Sequence, residues 1–326
     1  MKSATVLNYE TRPCKFAERR MLLASIARIM GVLKLRYQYI GFGGLSFTDF
    51  KLFHKELHIK EMYSIEAKYE QSKLEFNKPY SCINIIHGQS SEQLSSIDLS
   101  KPSIIWLDYD NTLSMTVFTD IELVLREIPH GSIFIISCNR ELKNGNTPYT
   151  NDEFKELYGS LVPYNIVDNC CADTNTCHTI KSMIEGLCHR IIKERNLIGD
   201  KLTFSPLYNI KYAEHRGAKM FTYGGIVLNS DCDKDGLNVD GFEFISTIQP
   251  YEINIPNYCC PLNMKGLFEP VVVQRIQTAQ SIPSPHTHVY EGYFSASSVS
   301  GGLSINAAKA SSQSFSGCSR NPCTSI

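Results

Sequence analysis

Residues 37–50 read YQYIGFGGLSFTDF, and this stretch decides the fold. An alternating β-prone run ends in glycines at 41, 43 and 44, and a helix start follows. Glycines in such a turn let the backbone approach a ligand where a Cβ would clash. The next short strand, EMYSIEA, closes on an acid, Glu66. A glycine turn after one strand and a carboxylate ending the next is how an open α/β sheet holds a nucleoside. The carboxylate accepts hydrogen bonds from ribose hydroxyls, and the turn faces the charged part of the ligand.

Working outward, strand and helix alternate. Upstream, PCKFAERRMLLASIARIMGVL (13–33) reads as an amphipathic helix with proline in its first turn and apolar residues at helical spacing. Lys15, Arg19, Arg20 and Arg28 form its other face, which is expected to be solvated. Downstream, strands are expected over 61–66, 81–87, 103–108 and 132–138, with helices at 47–57, 67–76, 115–127, 151–158 and 177–195. SIIWLD (103–108) is apolar until its last residue, as a strand buried on both faces should be. Repeated strand–helix–strand units imply right-handed crossovers and a parallel sheet. The pattern then changes. KLTFSPLYNIKYA (201–213) and AKMFTYGGIVLN (218–229), joined at 214–217, read as an antiparallel hairpin, with a further strand over 241–248. The fold class is therefore α/β, a Rossmann-like mainly parallel sheet with helices on both faces and a C-terminal antiparallel hairpin. Three segments are expected: an N-terminal helical segment (1–34), the α/β domain (35–260) and a Ser/Gly-rich disordered tail (281–326).

A formal net charge of -1 and a pI near 6.7 argue against a generic polyanion binder, which would carry a broad basic surface. No apolar run reaches the length of a bilayer span, and MKSATVLNYETRPCK lacks an apolar signal core. The twelve cysteines show no zinc-type CxxC pairing, so free thiols in a reducing, cytoplasmic setting are expected.

Five parallel β/α units closed by such a hairpin resemble the class I S-adenosylmethionine-dependent methyltransferase fold. More narrowly, RPCKFAERRML, YIGFGG with SFTDF, MYSIEA, IIWLDYDN and MFTYGG resemble uncharacterised bacterial proteins labelled as O-methyltransferases. The resemblance implies a reversed last strand beside the fifth, and S-adenosylmethionine as cofactor. It places Gly41, Phe42 and Gly43 beside the methionine part and Glu66 on the ribose. Gly88 and Gln89 fall at the adenine, and Asp108, Tyr109 and Asp110 at the end of the fourth strand, where many members carry their chemistry. The acid that usually precedes the family's glycines is replaced by Tyr39, which leaves Asp108 as a candidate partner for the cofactor's ammonium.

Methyl transfer is an in-line displacement, so a hydroxyl acceptor needs alignment and loss of its proton. Asp108 sits where open α/β sheets bind ligands. Asp110 could act as general base or anchor the acceptor, and Tyr109 could pack on adenine or acceptor. The bland alternative is that Asp110–Asn111 is a turn capping the helix near 114. LDYDN is not the DPPY-type motif of base amino-methyltransferases, so nucleic acid is a possible but not favoured acceptor. The fifth strand ends Ser137–Cys138–Asn139–Arg140 without a carboxylate, and no metal is expected. His286 and His288 are read as incidental, His54 and His58 as surface residues, and Trp106 as core. The leading reading is a methyltransferase for a hydroxyl or other heteroatom acceptor; the alternative is a Rossmann-like nucleotide sensor or partner protein without transfer chemistry. A third is a nucleic-acid enzyme using the Arg12–Lys15–Arg19–Arg20 face. The acceptor and the oligomeric state are not encoded in any motif.

Overall fold

The computed structural model describes residues 12–214, 217–245 and 248–255. The N-terminal helix α1 (Pro13–Leu33) leads into β1 (Gln38–Gly41), α2 (Thr48–Leu57), β2 (Met62–Glu66), α3 (Gln71–Asn77) and β3 (Ile83–His87). A single helical turn, α4 (Ser90–Gln93), precedes β4 (Ser103–Thr112), α5 (Met115–Glu127) and β5 (Ile133–Asn139). After a minimal hairpin of β6 (Lys143–Asn144) and β7 (Thr147–Pro148) come α6 (Asn151–Tyr158), α7 (Thr176–Leu197), β8 (Leu202–Ala213), β9 (Lys219–Asn229) and β10 (Tyr251–Ile253).

The main sheet has the order β10-β8-β9-β5-β4-β1-β2-β3. β1 to β5 are mutually parallel, and β9 runs antiparallel between β5 and β8. The reversed strand beside the fifth is therefore present. β1 lies between β4 and β2, so the chain changes direction across the sheet there, and this switch point is where open α/β sheets hold ligands.

Two apolar layers cover the sheet. On one face α1 and α2 pack against Tyr39, Ile104, Trp106 and Ile135. On the other, α5, α6 and α7 pack against Ile40, Ile105, Leu107 and Ile136. The alternation along β4 sends Ile104 and Trp106 one way and Ile105 and Leu107 the other, as period-2 side-chain geometry requires.

Three expectations need correction. The strand expected over 241–248 is absent among the described residues there: only Ile245 makes a bridge, to Tyr208. β10 occupies the edge of β8 instead, pairing Tyr251–Ile253 with Ile210–Tyr212, and Phe242 and Phe244 serve as packing residues. The fourth strand does not stop at Asp108. It continues to Thr112 through a register shift, so Asp110 and Asn111 are strand residues and Ser114 takes the position before α5. The third correction concerns α1. Lys15 and Arg19 are 2 % and 4 % exposed, not solvated. His286, His288 and the Ser/Gly-rich tail lie outside the described residues.

Candidate functional site

The carboxyl ends of β1 to β5 form one edge, and the residues singled out in the sequence converge on it. Gly41 ends β1, and the turn that follows is closed by Gly43, whose N–H donates to Ser64 Oγ at 3.1 Å. A Cβ on Gly43 would stand 2.4 Å from that oxygen and 2.7 Å from the Phe47 ring. The glycine there is required by the protein's own packing, not by ligand approach. Gly44 differs: its φ is +52° and nothing lies within 4 Å of a Cβ built on it. Of these two glycines, Gly44 leaves room on the backbone for a ligand.

Glu66 closes β2 half-buried. Its Oε1 accepts the Lys68 N–H at 2.8 Å, and its backbone carbonyl accepts the Gly88 N–H at 3.1 Å. The ends of β2 and β3 are thus tied together, bringing Gly88 and the exposed Gln89 beside Glu66. Tyr109 leaves β4 on the α5 side. Its ring meets Phe42 edge-on at 5.1 Å between centroids, linking the glycine turn to the fourth strand. Its hydroxyl donates to Asp120 of α5, which also accepts from Ser90 Oγ. Asp120 is fully buried and its Oδ1 finds no partner among the described residues, and burial raises its pKa against the lowering by Ser90 and Tyr109. Burial, then the neighbouring Asp120, pushes the Tyr109 hydroxyl far above a normal phenol.

Asp108 points to the opposite face, into a charged cluster that sequence reasoning missed. Lys15 Nζ donates to Asp108 Oδ1 at 2.5 Å and lies 3.2 Å from Glu18 Oε2. Arg19 NH2 is 3.6 Å from Asp108 Oδ2, while its Nε and NH2 both donate to Asp49 of α2. Glu18 is held further by Tyr212 Oη at 3.0 Å and by Thr222 Oγ1. Thr222 meets Ser137 Oγ at 2.7 Å, and Ser137 accepts the Trp106 indole N–H at 2.9 Å. Both cations also stand over the Trp106 ring, at 5.3 and 5.5 Å. Burial opposes the Lys15 charge, but Asp108 and Glu18 outweigh it and hold its pKa above the ordinary lysine value. Lys15 and Arg19 are therefore committed inside the protein and are not offered to a phosphate backbone.

One signal for this cluster was available. Cys14, Glu18, Met21, Ser25 and Ile29 share one buried stripe of α1, and an acid in an apolar stripe implies a buried partner. Asp110 stands apart, exposed on the β4 extension. His54 is half-buried, its Nδ1 2.8 Å from the Ile59 carbonyl, and His58 is exposed at the end of α2. Trp106 is core, as expected. The eight described cysteines are free, with Cys170 and Cys171 Sγ 3.6 Å apart. No group of three or more potential ligands for a metal ion occurs among the described residues. None of the described helices is long and apolar enough to cross a membrane. A groove of about 540 Å³ between α7 and residues 160–166 includes none of the residues singled out from sequence.

Comparison with curated protein sequences found no match. Among solved structures, an O-methyltransferase family protein from Burkholderia thailandensis aligns at 6 % identity, covering 67 % of this chain and 58 % of its own, with a TM-score of 0.36. The N-methyltransferase NodS from Bradyrhizobium japonicum aligns at 9 % identity over 62 % of this chain and 95 % of its own (TM-score 0.35). A "putative caffeoyl-CoA O-methyltransferase" from Staphylococcus aureus aligns at 13 % over 64 % and 83 % (TM-score 0.34). A family model spans most of the chain, residues 7–281, and by that match the chain belongs to the family described as "Putative O-methyltransferase".

Proposed function

We propose that the chain transfers a methyl group from S-adenosylmethionine to a hydroxyl or other heteroatom acceptor. The observation that carries this reading is the shared edge: the Gly41–Gly44 turn, Glu66, Gly88–Gln89 and Tyr109 all sit at the carboxyl ends of β1 to β4, with a reversed β9 beside β5. The residues fit the cofactor chemically. Glu66 keeps one carboxylate oxygen for ribose hydroxyls, since only Oε1 takes the Lys68 N–H. Phe42 and Tyr109 offer apolar ring surface, and Gln89 an exposed amide, for adenine. Bound there, the cofactor supplies an electrophilic methyl: the acceptor lone pair forms the new bond to carbon while the sulfur–carbon pair returns to sulfur.

The proton of a hydroxyl acceptor must go to a base. Asp108 is poorly placed for that role, because Lys15 engages its Oδ1 and Arg19 lies against its Oδ2. Asp110, exposed two residues along the same strand, is the candidate to take the proton or anchor the acceptor. Asp108 then acts as a positioning residue for the Tyr109–Asp110 segment. Its engagement with α1 also favours a second reading, in which the edge binds the nucleoside without transfer; turnover with any acceptor discards it.

Calorimetric titration of S-adenosylmethionine and S-adenosylhomocysteine into the full chain tests the proposal. Micromolar binding is expected, reduced by about tenfold or more in Glu66→Ala, the size of a lost hydrogen bond to a charged group. Unchanged binding in the variant would remove Glu66 from the site, and no binding by the parent would remove the cofactor.

A further inference from the structure

We infer that Lys15 of α1 is a specificity-determining residue of the ligand edge: its ammonium, held on Asp108, offsets carboxylate charge there and sets how strongly the edge prefers the sulfonium cofactor to its sulfide product. The inference rests on the methyltransferase reading. Among the described residues of this cluster, the acids Glu18, Asp49 and Asp108 are ion-paired with the two cations Lys15 and Arg19. Asp108 is the member nearest solvent, at 16 % exposure, and it lies one residue before Tyr109, whose ring touches the glycine turn. Lys15 itself is 2 % exposed, so dissolved salt screens it much less than a surface charge.

The two ligands of a methyltransferase differ in one respect that such an edge can sense. S-adenosylmethionine carries a sulfonium; after transfer the sulfur is a neutral sulfide. A more negative edge favours the first, and a more neutral edge narrows the difference. Because Lys15 sits in a low-dielectric layer over Trp106, its charge acts at closer to full strength than a surface lysine would. A helix that merely packs would change both affinities together. A helix that tunes charge changes their ratio.

The test is calorimetry of both ligands with the full-length parent, Lys15→Met and Glu18→Gln. Lys15→Met keeps the bulk of the stem and removes the charge, and should shift the affinity ratio towards S-adenosylmethionine by about fivefold, the effect of one charge acting through several ångströms of protein. Glu18→Gln removes a negative charge and should move the ratio the other way, by about twofold to threefold given its greater depth. Opposite shifts support the inference. Binding of both ligands with an unchanged ratio, or a shift of the same sign in both variants, overturns it and leaves the cofactor assignment standing. Failure of the parent to bind either ligand overturns the methyltransferase reading and the inference together. Should Lys15→Met not fold, the near-isosteric Glu18→Gln decides by the direction of its shift.

Discussion

The two sides of the ligand edge are built differently. Around β1, β2 and β3, the chemistry sits in short contiguous stretches: GFGG after one strand, Glu66 closing the next, Gly88–Gln89 after the third. Around β4, β5 and β9, it sits in side chains that meet only after folding. Lys15 and Asp108 are 93 residues apart, and Glu18 and Thr222 are 204 apart. The first side is local and replaceable turn by turn. The second is a single interlocked unit, in which each charge is held by partners from distant parts of the chain.

The largest effect expected from this contrast separates two adjacent arginines. Arg19→Leu leaves Asp49 buried without its bidentate partner and should cost about 3–5 kcal/mol of stability, the range for breaking a buried ion pair. Arg20→Leu, one residue on, removes a half-buried side chain resting over the Phe16 ring and should stay within about 1 kcal/mol. Denaturant midpoints of the two variants measure the difference. Similar midpoints would mean that the cluster contributes no more than a surface pair.

The same contrast explains what could be read in advance. The element order, the parallel sheet and the antiparallel hairpin follow from periodicity and turn residues, which are local, whereas the reversed strand beside the fifth followed from the family resemblance. The helix at 151–158 was also legible, and Thr150 completes it with a reciprocal cap on Glu153. The basic face of α1 was not. Lys15, Arg19, Arg20 and Arg28 look alike in sequence, and only tertiary packing decides that the first two turn inward to Asp108 and Asp49. The β4 extension failed for a related reason. Asp-Asn is a turn signal by itself, but the Thr112–Asn139 pairing with β5 overrides it. Among the described residues of 241–248 only the Ile245–Tyr208 bridge forms, because β10 takes the neighbouring edge of β8 at Ile210–Tyr212.

An intermediate effect sharpens the local side. Gly43→Ala places a methyl against Ser64 Oγ and Phe47 and should cost about 1–3 kcal/mol, with weakened S-adenosylmethionine binding because the turn must shift. Gly44→Ala meets no atom and should cost only about 1 kcal/mol, for its left-handed backbone. Thermal denaturation with and without ligand separates the two. Equal losses would place the ligand's demand on both glycines alike, contrary to their different surroundings.

The smallest effect belongs to the joint between the two sides, where Tyr109 and Ser90 both donate to Asp120. Burial raises the Asp120 pKa, so the folded protein holds this proton more tightly than the unfolded chain does. The associated stability is fully present below the unfolded aspartate value of 3.8 and is lost as pH rises through the higher folded value. Asp120→Asn has no such proton to lose. Its stability relative to the parent should therefore improve as pH climbs through that window, by on the order of 1 kcal/mol. Denaturant midpoints taken between pH 3 and pH 7 report this directly. A flat difference would mean that the two hydroxyl donors compensate the carboxylate fully, and that Tyr109 is anchored to a charged rather than a protonated acid. In that case the aromatic contact between Phe42 and Tyr109 is held in place by a charge-assisted bond, and the local side of the edge depends on a buried ion just as the other side does.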